Sequence, residues 1–418
     1  MNSATLAPRN NPLLKDWTNP AAGITLGDNV LNVVQSLGKV FWAVTTSIIG
    51  ADTPGDGAVV RPAETLLRNP NGVQELLKYT RLAANQLSLI YAEYKHLVLP
   101  YGTKNFILLG PPIPNAPQQN ELNLSLPAGC DIEDREAIQR KLDEFSEILR
   151  RAGYVASMDG RIILNPGTHF AVALVYDELL KRICIHFRDT ASDGFWESGS
   201  GVNWAADISQ GLGLMPDVYA DGDMFVRGCV EIFGPEMLQI VGYSMGGGIG
   251  IFAGIRNFVK VLALNSAFLS PLHERFFPEN WQQFAADNVR VISVANDILS
   301  SIMDNPMTGG ILPTALQRGV LCYTTDPAPN PFRGHYLSEL VKGLMHLLIR
   351  QPELRGFVIQ ILLGLPDEAL TAFIRQDELL AAHLLLLPFA TLAARIGQIV
   401  GCAVLAGQSP AMALPQFV

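Results

Sequence analysis

Apolar positions fall in two regimes along this chain. From Asn69-Pro70 to about His96 they recur at three- and four-residue steps, which predicts an amphipathic helix. A second, more highly charged helix is predicted from Asp131 to about Ala152. Beyond it come short continuous runs rich in Val, Ile and Leu: Phe170–Tyr176, Arg182–Phe187, Met237–Val241, Lys260–Leu264, Val289–Ala295 and Gly319–Tyr323. Apolar strands that alternate with helical or loop segments predict a mostly parallel sheet covered on both faces. The first two runs are close enough to pair as an antiparallel hairpin. From Leu337 onward the pattern is helical throughout.

This pattern divides the chain into a polar start (1–28), a helical N-terminal region (29–130), an α/β core (131–336) and an apolar helical C-terminal region (337–418). The N-terminal region contains the apolar stretch Asn29–Ala51. It ends in a connection from Leu97 to Cys130 that carries Pro111, Pro112, Pro114 and Pro117, and the boundary is placed there.

The candidate chemistry sits after the Met237–Val241 run, where Gly242-Tyr243-Ser244-Met245-Gly246 has the Gly-x-Ser-x-Gly spacing of a nucleophile elbow. A strand that turns abruptly into a helix holds Ser at the apex in a strained conformation. Side chains two positions before and after would collide, and Gly242 and Gly246 remove that collision. Gly246, Gly250 and Gly254 then recur every four residues, giving a helix face that can lie close to a sheet. A glycine-rich phosphate loop is the other reading of such a turn, but the Gly-Lys-Ser/Thr it requires is absent.

A serine hydroxyl needs a base, and the base needs a carboxylate to orient it. In this type of fold the chain order is Ser, acid, His. His335 follows the last strand, in a loop with Gly334 and Pro331, where a catalytic loop would emerge. His273 comes too early in the order, and His346 and His383 lie in apolar helical stretches. Asp297 ends the run from Val289, at the strand edge where α/β folds place functional groups, with Asp304 as the fallback. Two N–H donors are expected for an oxyanion: Met245, directly after the serine, and Thr190, just past the Arg182–Phe187 strand.

Taken together, Phe187-Arg188-Asp189-Thr190, Asn203-Trp204-Ala205-Ala206-Asp207-Ile208, the GYSMGG elbow, the Val289–Asp297 strand end and the late His335 resemble the fungal-type (class 3) lipases. The resemblance covers about residues 131–336. It implies an α/β-hydrolase core and hydrolysis of lipid acyl esters, by a lipase or phospholipase, through Ser244, Asp297 and His335. It also implies an oxyanion donor at Thr190. The chain departs from that family at Asp189, where a Gly is usual, at Asn203 for Asp, and at Tyr243 and Met245 for His and Leu. The same three residues would serve a thioesterase or amidase acting on a protein or small metabolite. A non-catalytic hydrolase-like scaffold that binds a membrane or a partner is the third reading.

Composition narrows the partners. Apolar residues make up 49% and charged residues 17%, which is enough for a large core, and the formal charge of −9 argues against a nucleic-acid partner. Five widely spaced cysteines, with no CxxC pair, suggest neither zinc nor a disulfide framework, and no cofactor is implied. Met1 to Asn19 lacks the basic and apolar regions of a signal peptide, so synthesis in the cytoplasm is expected. Its polar, Asn-containing composition is like that of effectors exported by a specialised secretion system. The N-terminal region is expected to cap the site, bind a protein partner or serve export. Residues 379–418 carry one charged side chain, Arg395, and are read as core or interface helices, as a segment docking peripherally on a membrane surface, or as a span.

Overall fold

The computed structural model describes residues 61–92, 103–112, 119–157, 160–188, 216–267, 269, 271–294, 297, 319–322, 334–365 and 370. Strand β1 (Arg61–Pro62) leads into helix α1 (Pro70–Ala92). The start of α1 is written in its sequence: Pro70 opens it, and the Asn69 side chain accepts from the Gly72 N–H at 2.8 Å. Strands β2 (Thr103–Asn105), β3 (Ile107–Pro112) and β4 (Gln119–Leu124) follow, then α2 (Arg135–Arg151). Next come β5 (Val155–Ser157), β6 (Ile163–Asn165), β7 (Phe170–Asp177) and β8 (Arg182–Phe187). The chain continues through α3 (Asp217–Phe233), β9 (Leu238–Tyr243), α4 (Met245–Asn257), β10 (Lys260–Leu264), α5 (Trp281–Asn288), β11 (Val289–Val294) and β12 (Gly319–Cys322). Helices α6 (Leu337–Ile349) and α7 (Arg355–Gly364) end the described part.

All twelve strands join one sheet, in the order β1-β12-β11-β10-β9-β8-β7-β6-β5-β4-β3, with β2 added beside β7. From β8 to β1 every pairing is parallel, and this half carries the site. From β8 to β3 the strands form an antiparallel meander, which includes the expected β7–β8 hairpin.

Helices cover both faces. Alternate residues of the central strands β7 to β11 enter different cores, as the two-residue period requires. Ile183, Ile185 and Phe187 of β8 pack with α2, α3, α4 and α5, whereas Cys184 between them packs with α1 and α6. The architecture is an α/β-hydrolase core with helical segments added on its N- and C-terminal sides.

The Pro-rich stretch read as a connection contains three strands. Pro111 and Pro112 are tolerated because β3 is an edge strand and its register shifts between Leu109 and Pro112, so no interior ladder bond is lost. The proposed boundary near 130 does not divide the sheet, since β1 to β4 pair into it. The expected elements over 1–28, 29–51 and 379–418 lie outside the described residues.

Candidate active site

Ser244 joins β9 to α4 with φ 55° and ψ −124°, a backbone conformation that a non-glycine residue adopts only under strain. Three backbone donors hold its carbonyl: Gly247 N–H at 3.0 Å, Gly248 N–H at 3.3 Å and Ala267 N–H at 2.8 Å. Its own N–H donates to Leu264 O at 3.1 Å, which ties the turn to the neighbouring strand.

The two flanking glycines are required by space. A Cβ on Gly242 would overlap the Gly246 carbonyl, and one on Gly246 would overlap Arg188 O and lie 2.6 Å from Phe187 O. Further along α4, a Cβ on Gly250 would come within 2.8 Å of Ile240 Cγ2, and one on Gly254 would overlap Val261. The four-residue glycine spacing is thus the face on which α4 lies against β9 and β10.

The structure brings the three side chains singled out in the sequence into one chain of hydrogen bonds. His335 Nε2 is 2.8 Å from Ser244 Oγ, and His335 Nδ1 is 2.6 Å from Asp297 Oδ1. A carboxylate can only accept, so Nδ1 carries the proton and Nε2 is left to accept from the serine. Asp297 follows the end of β11, its N–H bonded to Val294 O at 2.9 Å, and is fully buried. Ser244 is buried, at 7% exposed, and the His335 side chain is 20% exposed, so the base is less enclosed than the acid.

Met245 is the first residue of α4, and first-turn N–H groups have no acceptor within their own helix. That position suits a donor to a developing anion. Thr190, the other expected donor, lies outside the described residues, as do Asp189, Asp304 and His383. His273 is fully buried, packed with Tyr219 and Phe252, and His346 is buried on α6. Among the described residues no three His, Cys, Asp or Glu side chains could hold a metal ion.

Two further residues touch the base and were not picked out in the sequence. Tyr243, inside the elbow, donates its hydroxyl to His335 O at 2.8 Å, and the two rings stack with centroids 5.4 Å apart. Asn265, the residue after β10, donates through Nδ2 to His335 O at 2.8 Å and to Gly334 O at 3.1 Å. Tyr243 falls in the elbow pattern at a position where any residue is allowed. Asn265 is marked only as the first polar residue after an apolar strand.

No protein-family model matches the chain, and no curated protein matches it. The mixed α/β sheet with helices on both faces is consistent with the broad α/β-hydrolase superfamily. The narrower likeness to class 3 lipases rests on short motifs, of which Asp189-Thr190 and Asn203–Ile208 lie outside the described residues.

Proposed function

We propose that this protein is a serine hydrolase that cleaves carboxylic esters through an acyl-serine intermediate. The observation that carries the reading is the continuous hydrogen bonding from Ser244 Oγ through His335 to the enclosed Asp297. In the first step Ser244 Oγ adds to the ester carbonyl carbon while His335 Nε2 takes its proton. The tetrahedral oxyanion is stabilised by the Met245 N–H and, in this reading, by Thr190. Collapse breaks the bond to the leaving oxygen, which receives the proton from His335. Water then adds to the acyl-serine by the same route and releases the carboxylic acid. Asp297 keeps the imidazole in the tautomer that can accept, and stabilises the imidazolium that forms.

A lipid acyl ester is the proposed substrate on the strength of the sequence resemblance. The apolar residues 379–407 are proposed to extend the acyl-binding surface or to dock on membrane. The same three side chains would cleave a thioester or an amide, so the leaving group is left to experiment. The test is labelling by a fluorophosphonate probe, together with hydrolysis of ester, thioester and amide substrates of graded acyl length. Wild type should be labelled, and Ser244→Ala should lose labelling and on the order of 10⁴–10⁶ in turnover while folding normally. A wild-type protein that neither labels nor hydrolyses any of these would be a binding scaffold. Thioester or amide turnover without ester turnover would move the assignment to that class.

A further inference from the structure

We propose that Asn265 and Tyr243 are positioning residues that hold His335 between the nucleophile and the acid by gripping its backbone carbonyl from two elements. The proposal rests on the hydrolase reading of Ser244, His335 and Asp297, and names what keeps that geometry.

Asn265 is fully buried and left-handed, with φ 41°, a conformation that Asn tolerates better than most residues. Its backbone N–H donates to Ile292 O at 2.9 Å, and its Oδ1 accepts from Val294 N–H at 2.9 Å. Both partners belong to β11, the strand that leads to Asp297. Its Nδ2 spends both hydrogens on the loop that carries the base, at Gly334 O and His335 O. One side chain therefore ties the strand of the acid to the loop of the base. Both N–H bonds of the amide are used, and a substitution that keeps only the acceptor loses two bonds together.

Tyr243 provides the second tie. It is the residue immediately before Ser244, so its bond to His335 O connects the base to the elbow itself, and its stacked ring limits rotation of the imidazole. Two donors, from β9 and from the end of β10, thus converge on a single carbonyl oxygen. The two ring nitrogens of His335 must meet partners at 2.6 and 2.8 Å at the same time. A site of this kind works only when its groups are held to within about 0.5 Å.

A role limited to stability would lower the folded fraction and leave each folded molecule as active as before. Positioning predicts a fall in kcat with little change in KM, and a disturbed bond between His335 Nδ1 and Asp297. The variants are Tyr243→Phe, which keeps the ring and removes the hydroxyl, and Asn265→Asp, which keeps the acceptor for Val294 N–H and removes the donor. Turnover per folded molecule is measured on a soluble ester. The low-field proton resonance of the His335–Asp297 bond, assigned by its loss in His335→Ala, is followed in parallel.

Tyr243→Phe should lower kcat about 5- to 10-fold, the loss of one hydrogen bond. Asn265→Asp should lower it about 10²-fold, the effect of a misplacement of about 1 Å. The resonance should shift or broaden in both. The double variant should lose less than the product of the two, because both act on one oxygen. Wild-type kcat with an unchanged resonance would overturn the proposal, and Tyr243→Phe decides alone if Asn265→Asp fails to fold. Should wild type hydrolyse no substrate, the hydrolase reading falls, and the resonance still decides whether the two residues position His335.

Discussion

The Asp297 carboxylate is completely enclosed, while the His335 ring bonded to it at 2.6 Å remains a fifth exposed. Shielding strengthens the interaction at the acid end. Asp297→Asn should therefore keep the shape of the site and ruin its proton logic. An amide that donates toward Nδ1 selects the tautomer with hydrogen on Nε2, which can no longer accept from Ser244. The expected loss in kcat is on the order of 10⁴. Turnover per folded molecule, with folding checked by circular dichroism, measures it. A loss of only a few-fold would mean that Asp297 does not orient the base.

The glycines of the elbow give a second expectation. Because a Cβ on Gly246 would strike the backbone carbonyls of Arg188 and Phe187, Gly246→Ala must push α4 away from β8. Overpacking of this kind costs about 1–3 kcal/mol. Activity should fall further than the loss of folded protein explains, since Ser244 moves with the helix. Gly356→Ala is the control: nothing lies within 4 Å of the added carbon, and stability should stay level or rise slightly. Denaturant unfolding with turnover on the same samples separates the two effects. Equal, small effects of both substitutions would show that the close approach at Gly246 is not limiting.

What the sequence reveals depends on how local the signal is. Strands β7 to β12 are legible because each is an apolar run of four to eight residues, and the elbow because steric demand confines glycine to fixed positions. Asp297 and His335 are legible from their place after strand ends. Strand β3 is hidden because an edge strand can carry proline, and β2 and β4 because Thr103–Asn105 and Gln119–Leu124 hold no continuous apolar run. The clamp at Asn265 is hidden for a different reason: its partners lie 69 and 70 residues away, and no local pattern marks them. The same holds for α1. Its apolar period predicts a helix, but not that Arg81, Asn85 and Gln86 are buried against partners 92 to 101 residues distant.

One of those hidden contacts yields a stability prediction. Arg81 holds Asp177 through Nε at 3.0 Å from Oδ2 and through an amino group at 3.0 Å from Oδ1, and both residues are buried. Asp177 also accepts the N–H groups of Leu179 and Leu180, each at 3.0 Å, in the turn between β7 and β8. Arg81→Met fills similar space but leaves a buried carboxylate without its counter-charge. The expected loss is about 3–5 kcal/mol. Arg81→Met combined with Asp177→Asn should recover part of it, because the uncompensated charge is gone. Denaturant midpoints of the four proteins test the cycle, and strict additivity would sink the argument.

The last prediction concerns acid sensitivity and rests on His186. This residue is 2% exposed, between β7 and β9 and under α1. Its Nδ1 lies 2.8 Å from Gln86 Oε1, while Gln86 Nε2 donates to Phe187 O at 3.0 Å. An amide oxygen can only accept, so the imidazole carries a hydrogen on Nδ1. Burial pushes its pKa down from 6.5 to about 3. Between those two values the unfolded chain binds a proton that the folded chain refuses, so stability falls as pH drops below about 6.5 and goes on falling toward about 3. At pH 5 the loss from this one group is about 2 kcal/mol, from 1.4 kcal/mol per pH unit. His186→Gln should be less stable than wild type at pH 7.5 through lost packing, but should lack this acid-dependent term. Groups outside its surroundings titrate alike in both proteins and cancel in the difference. The stability gap between wild type and His186→Gln should therefore narrow by about 2 kcal/mol from pH 7.5 to pH 5, measured by denaturant unfolding at each pH. A gap of constant size would mean that the folded protein accepts a proton at His186 as readily as the unfolded chain, and that its burial carries no acid penalty.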